Sequence, residues 1–307
     1  MRRALKGCFQ LPIPFTGAAA ALVTPFREDF SVNTELFETL IEFQLQNETA
    51  AVVVCGTTGE GATLTVNERA DLFRRAAAKV NGRVPVICGV GSNSTSFCLQ
   101  TAKTAESCGA DYHLIVTPYY NKTSQQGLVR HYYTLADALT KPVIVYNVPS
   151  RTGMNIRPET YEALSRHENI VAVKEADPDV GKLTESIARC GDALTFYSGN
   201  DDLTAAACAV GCKGTISVLS NVFPRFTQRL NLAAVSGDME TAAKMQLQAV
   251  ALNNALFCDV NPMPVKYAMR LLGYAVGPCR LPLTELSAES KRQVERALAA
   301  FQQSLKA

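Results

Sequence analysis

The sequence predicts an α/β protein: a (β/α)8 TIM barrel carrying a C-terminal α-helical extension. Three observations lead there. Short apolar runs end near Val23, Cys55, Cys88, Thr117, Tyr146, Lys174, Ser198 and Ser217, at intervals of roughly 20 to 33 residues that suit successive βα units. Helix-like stretches fill the gaps with no break in composition, which favours one closed barrel over a doubly wound sheet. After about Phe223 only helical periodicity remains.

Each element follows in order. The small-residue run from Ala18 to Val23, stopped by Thr24-Pro25, reads as a first buried strand. Thr34-Glu35-Leu36-Phe37-Glu38 opens a helix, and Asn67-Glu68-Arg69-Ala70-Asp71 opens another with acidic residues early and basic ones late. Pro158-Glu159-Thr160-Tyr161 starts a further helix with proline in its first turn. Ile170-Val171-Ala172-Val173 is a fully apolar run of the kind that forms a buried parallel strand. Beyond it, helices are expected over 225–235, 239–257, 264–272 and 288–305. The expected division is a catalytic barrel over 1–235 and a helical domain over 236–307, with no linker between them.

Composition excludes several classes of function. The 307 residues are 47% hydrophobic and 19% charged, an ordinary balance for a globular protein with ample core. A formal net charge of +2, with no basic cluster larger than an adjacent pair such as Arg74-Arg75, provides no footprint for nucleic acid or anionic lipid. No apolar stretch approaches the roughly 20 residues needed to cross a bilayer. Arg2, Arg3 and Lys6 ahead of Gly17-Ala18-Ala19-Ala20-Ala21 imitate a secretory signal, but Pro12 and Pro14 interrupt the would-be apolar region. A cytoplasmic location is expected. The ten cysteines then read as small core residues in a reducing compartment. Cys208 and Cys212 are the closest cysteine pair but have no histidine near them, and the scattered His113, His131 and His167 do not fall in a metal-ligand spacing. Gly89-Val90-Gly91 lacks the third glycine of a dinucleotide fingerprint.

In such barrels chemistry sits where strands end and loops begin, and four loops carry suitable residues. Gly56-Thr57-Thr58-Gly59-Glu60-Gly61 holds two hydroxyls in a glycine-rich turn suited to a carboxylate, or caps the next helix. Thr117-Pro118-Tyr119-Tyr120-Asn121 carries adjacent tyrosines of the kind used in packing or interfaces. Tyr146-Asn147-Val148-Pro149-Ser150-Arg151 puts a phenol at a strand end and a guanidinium five residues on, free to pair with a substrate carboxylate or a surface acid. The sixth run ends in Lys174-Glu175-Ala176-Asp177. Alone, Lys174 would read as a strand-end residue reaching water. In a buried site, desolvation favours the neutral amine that a Schiff-base nucleophile requires.

Together these segments resemble the pyruvate-dependent Schiff-base lyases of the N-acetylneuraminate lyase and dihydrodipicolinate synthase superfamily. The likeness runs from Gly17 to about Leu286 and is carried by Gly56-Thr57-Thr58-Gly59-Glu60, Tyr146-Asn147-Val148-Pro149 and Val173-Lys174-Glu175. The paired threonines and Ser150-Arg151-Thr152-Gly153 resemble the dihydrodipicolinate synthase branch. That likeness implies a condensation of pyruvate with L-aspartate 4-semialdehyde to 4-hydroxy-2,3,4,5-tetrahydrodipicolinate, toward diaminopimelate and lysine. It implies that Lys174 is the nucleophile and Tyr146 the general acid–base. Thr57 and Thr58 would sit at the pyruvate carboxylate, and Thr58 would relay protons with Tyr146 and a Tyr120 supplied across a subunit interface. Arg151 would bind the aldehyde's carboxylate and help position Tyr146, while Gly199 and Ile216 complete the substrate pocket. No metal or organic cofactor is implied, because the lysine is itself the electron sink. A homodimer or homotetramer is implied by the shared Tyr120.

Some positions depart from the family pattern. Asn200 and Asp177-Pro178 replace the usual residues in their loops. Val66, Arg69 and Phe97 stand where lysine-inhibited relatives carry polar ligands, although Asn93 and Tyr119 remain, so weak or absent feedback by lysine is expected. Two other readings bracket this one. An aldolase acting on a sugar-derived 2-keto acid fits Thr57 and Arg151 less well. A non-catalytic 2-oxo-acid-binding barrel would have little use for Thr58, Tyr120, Tyr146, Arg151 and Lys174 together.

Overall fold

The computed structural model describes residues 13–306. Arg2, Arg3, Lys6, Cys8, Pro12 and Ala307 lie outside the described residues. Eight parallel strands close into a barrel in sequential order: β1 (Gly17–Ala21), β2 (Ala51–Val54), β3 (Val86–Gly89), β4 (Tyr112–Val116), β5 (Val143–Asn147), β6 (Ile170–Glu175), β7 (Thr195–Ser198) and β8 (Gly214–Ser217). Around them run α1 (Thr34–Gln46), α2 (Val66–Val80), α3 (Thr95–Ser107), α4 (Gln125–Ala138), a one-turn α5 (Pro149–Thr152), α6 (Pro158–Leu164), α7 (Val180–Cys190), α8 (Thr204–Ala209) and α9 (Pro224–Ser236).

The strands read as unbroken apolar runs because both of their faces are buried. Period-two alternation sends Ala19, Val53, Ile87, Leu114, Ile144, Ala172, Tyr197 and Ile216 into the barrel interior. Val52, Val54, Ile115, Val145, Val173 and Phe196 instead pack outward with helical residues such as Phe37, Leu72 and Tyr161. Closure of β8 on β1 brings the backbones very near: a Cβ built on Gly214 would lie 1.8 Å from the Gly17 carbonyl oxygen, and Gly214 has φ +144°. Only glycine fits both demands.

Helix starts follow their sequence signals. Thr65 and Glu68 form a reciprocal capping box on α2, satisfying amides that the first helical turn leaves unpaired. Asn33 and Ser124 cap α1 and α4 through the side-chain oxygen alone, accepting from the Leu36 and Gly127 amides. The first strand ends earlier than its apolar pattern suggests. Val23 N–H, two residues past Ala21, donates to Asn221 Oδ1 at 3.0 Å rather than to a neighbouring strand. A side chain from the turn after β8 thus takes over the ladder's role.

Beyond the barrel come α10 (Met239–Leu256), α11 (Met263–Leu271) and α12 (Ala288–Ser304), within two residues of the expected helical stretches. They pack mainly on α8, α9 and one another, and Phe301 of α12 makes edge-to-face contact with Phe223 and Phe226, with centroids 4.7 and 4.9 Å apart. Such aromatic pairs contribute about 0.5–1.5 kcal/mol beyond their burial. The nine described cysteines are unpaired, and six are buried. Among the described residues no helix is long and apolar enough to cross a membrane.

Candidate active site

Alternation along β5 and β6 carries two chemical groups to the mouth of the barrel. Tyr146 follows the inward Ile144 by two residues, Lys174 follows the inward Ala172 by two, and the two are register partners. Lys174 also pairs in register with Tyr197 on β7. The lysine is 7% exposed, and its Nζ lies 4.4 Å from the centroid of the Tyr146 ring. An aromatic face attracts a cation at that range and shields an amine from water. Just past the end of β7, a Cβ on Gly199 would stand 3.1 Å from Lys174 Cε and 2.7 Å from Ala176 Cβ. The absence of a side chain there leaves the lysine stem its room. Ile216 is fully buried in the same interior cluster as Tyr146 and Tyr197.

A cavity of about 330 Å³ opens above this cluster, lined by Thr57, Tyr146, Arg151 and Asn261 among others. Thr57 is partly exposed in it, while Thr58 is buried. Thr58 Oγ1 accepts a hydrogen bond of 3.0 Å from Asn261 Nδ2. Arg151 sits in the exposed turn α5, and its Nη2 donates to the Asn261 carbonyl oxygen at 3.3 Å. Tyr119 lines the cavity. Tyr120 does not: it is 91% exposed, with a left-handed φ of 68°. Thr57, Thr58, Tyr146, Lys174, Arg151, Gly199 and Ile216 therefore gather at one end of the barrel, and Tyr120 alone stands apart.

Buried carboxyls flank the lysine. Glu175 faces outward from β6, accepting from Tyr161 Oη at 2.6 Å, Asn147 Nδ2 at 2.8 Å and the Asp177 amide at 2.8 Å. Burial pushes its carboxyl up to about 7 in spite of those donors. Asp201 Oδ2 accepts from the Val218 and Leu219 amides at 2.8 and 3.0 Å. Burial pushes this carboxyl up too, opposed by the Ser217 hydroxyl, these amides and the charge of Lys174.

Several residues that shape the site carry no local sequence signal. Asn261, Val260 and Leu283 reach the cavity from the C-terminal segment. Glu60 closes the glycine-rich loop in a left-handed conformation, φ 52°. It pairs with the buried Lys266 of α11 at 2.9 Å. Lys266 Nζ also donates to the Thr24 and Pro278 carbonyl oxygens, at 3.1 and 2.7 Å. Glu60 Oε2 accepts from the Arg280 amide at 2.8 Å. The one visible hint was Lys266 itself, a cation inside the apolar run Met263-Pro264-Val265-Lys266-Tyr267. Among the described residues, no group of three or more His, Cys, Asp or Glu side chains is placed to hold a metal ion.

A shielded lysine at the end of the sixth strand of a closed barrel, beneath a tyrosine and beside a paired-threonine turn, defines the barrel lyases that work through an amine nucleophile. The family model described as "Dihydrodipicolinate synthetase family" matches residues 14–301. The chain belongs to that family. It is 45% identical over 288 residues to 4-hydroxy-tetrahydrodipicolinate synthase of Geobacter sulfurreducens, covering 94% of this chain and 99% of that protein. The crystal structure of dihydrodipicolinate synthase from Aquifex aeolicus superposes with a TM-score of 0.91 at 41% identity, covering 94% of this chain and 98% of that one. The chloride-inhibited enzyme from Acinetobacter baumannii, complexed with pyruvate, gives 0.92 at 36% identity over 94% and 99%.

Proposed function

We propose that this lyase condenses pyruvate with L-aspartate 4-semialdehyde through an imine on Lys174, yielding 4-hydroxy-2,3,4,5-tetrahydrodipicolinate and one water. The observation that carries the reading is the buried Lys174, its Nζ held 4.4 Å from the centroid of the Tyr146 ring. Its amine attacks the pyruvate ketone and water departs, leaving a protonated imine. Loss of a methyl proton converts this to an enamine, whose carbon attacks the aldehyde, and the resulting alkoxide takes up a proton. The second substrate's own amine then attacks the imine carbon and displaces Lys174, closing the ring and restoring the enzyme.

Tyr146 is assigned the proton transfers at the imine, because its side chain touches the nucleophile and lines the cavity. Thr57 and Thr58 are assigned to the pyruvate carboxylate, with hydroxyls and glycine-loop amides as donors. Arg151, on an exposed turn at the rim, is assigned the carboxylate of the incoming aldehyde. Gly199 and Ile216 are assigned to pocket shape beside the lysine. Tyr120 is assigned to the relay of a neighbouring subunit, supported by an aromatic ring displayed almost wholly to solvent. A homodimer or homotetramer follows from that role, as does a cytoplasmic location from the unpaired thiols. The division into a barrel over 1–235 and a helical unit over 236–307 is proposed as anatomy only, since Lys266 and Asn261 tie the two together.

Lysine is expected to inhibit weakly or not at all. Val66 and Phe97 present apolar side chains to solvent, and the Arg69 guanidinium, itself a cation, donates to the Gly61 carbonyl oxygen. None of the three side chains offers an acceptor for an ammonium group. Titration calorimetry showing tight lysine binding would exclude this.

The primary test couples product formation to a dihydrodipicolinate reductase and follows NADPH loss. Turnover that disappears in Lys174→Ala, together with loss of the borohydride-trapped pyruvate adduct, is the expected result. A Lys174→Ala protein that keeps the wild-type rate would overturn the assignment.

A further inference from the structure

Asn261 belongs to the segment that enters α11, yet it meets two separate loops of the barrel mouth. Its Nδ2 donates to Thr58 Oγ1 at 3.0 Å. Its main-chain oxygen accepts from Arg151 Nη2 at 3.3 Å. The residue is 5% exposed and forms part of the cavity wall together with Thr57, Tyr146 and Arg151. Its Oδ1 is buried without a partner, a cost that an apolar residue of similar size would not incur. A polar side chain held there at such a cost is held for the bond that it does make.

That bond has a direction. A threonine hydroxyl has one proton to donate and two lone pairs. Among the described residues, Asn261 Nδ2 is the only partner of Thr58 Oγ1. With the amide N–H on one lone pair, the Thr58 proton points away from Asn261. Its acidic end is left for the reacting centre. We propose that Asn261 is a positioning residue for the condensation: its amide sets the donor direction of Thr58, and its carbonyl holds Arg151 at the rim. One residue of the C-terminal segment thereby links the pyruvate loop to the arginine of the second substrate. This rests on the reading of Thr58 and Arg151 given above.

The test uses Asn261→Ala, which deletes the donor, and the isosteric Asn261→Asp, which replaces it with an acceptor and turns the Thr58 proton the wrong way. Both keep the backbone carbonyl that holds Arg151. Borohydride trapping of pyruvate on Lys174 should persist in both, and KM for pyruvate should move less than about 3-fold. The expected loss in kcat is on the order of 10- to 100-fold, larger for Asp than for Ala. If Ala fails to fold, the Asp variant carries the test alone. A double-mutant cycle separates positioning from general damage: in a Thr58→Ala background, Asn261→Ala should cost little more. Unchanged kcat in both variants, or losses that multiply with those of Thr58→Ala, would overturn the role of Asn261 while leaving the wild-type condensation standing. A wild type without turnover on the two substrates would instead bring down the underlying reading, and this role with it.

Discussion

Glu175, one residue past Lys174, faces away from the barrel interior into a wall of Tyr161, Asn147 and the Asp177 amide. Its folded carboxyl sits near 7 against an ordinary 4.5, with burial the largest cause. The folded state therefore binds more protons than the unfolded chain between those values. The stability tied to the neutral form is fully present below about pH 4.5 and is lost as pH rises through 7, a difference on the order of 3 kcal/mol. Glu175→Gln should melt at a more constant temperature between pH 5.5 and 8 than the parent does. An unchanged pH slope in thermal denaturation would exclude Glu175 as its source. Arg151, by contrast, makes one side-chain hydrogen bond among the described residues and supports little structure. Arg151→Ala should raise KM for L-aspartate 4-semialdehyde by about 10- to 100-fold while leaving pyruvate trapping on Lys174 intact, as steady-state kinetics and borohydride reduction can measure.

At the scale of elements, the C-terminal helices act as a clasp on the glycine-rich loop. Lys266 of α11 is buried against Glu60 and the ring of Phe26, 4.5 Å from its centroid. Removing one member of such a pair strands the other charge in a dry interior. Lys266→Met should cost about 3–5 kcal/mol, read from urea denaturation, and a cost below 1 kcal/mol would show that Glu60 finds other partners. Arg280 forms a second clasp with Glu68 of α2 at 2.5 Å. That contact holds the Glu68 carboxyl down at about 2. Its contribution is present above the unfolded value of 4.5 and is lost as pH falls through 2.

For the whole molecule, the proposed role of Tyr120 makes each complete site the work of two chains. Tyr120 is displayed to solvent on its own chain, so its assigned role requires a neighbour. Lys174→Ala and Tyr120→Phe proteins, each nearly inactive alone, should regain activity when unfolded together and refolded as mixed oligomers. In a mixed dimer one site pairs an intact Lys174 with an intact Tyr120, and the other site carries both defects. Activity no greater than the sum of the two parents, with mixing verified by mass, would remove Tyr120 from the relay.

The barrel was legible in the sequence because it rests on local rules, whereas Lys174 by itself read as a strand-end residue and stood out as a candidate nucleophile only through the family resemblance. Apolar runs at βα spacing set the eight strands, and period-two alternation placed Tyr146 and Lys174 at the ends of β5 and β6. The threonine pair and Arg151 were legible as residues of the loops after β2 and β5, and Gly199 through the family resemblance. Asn261, Lys266 and Arg280 were not. Their partners Thr58, Glu60 and Glu68 lie more than 200 residues away, and a polar contact across such a distance imposes no period on either segment. Hydrophobic patterning by itself determined which strands form and which side chains they turn inward. Which polar groups the C-terminal helices would bring to the mouth of the barrel was decided only when the chain closed on itself, because burial obliges each such group to find the particular partner that tertiary packing puts within reach.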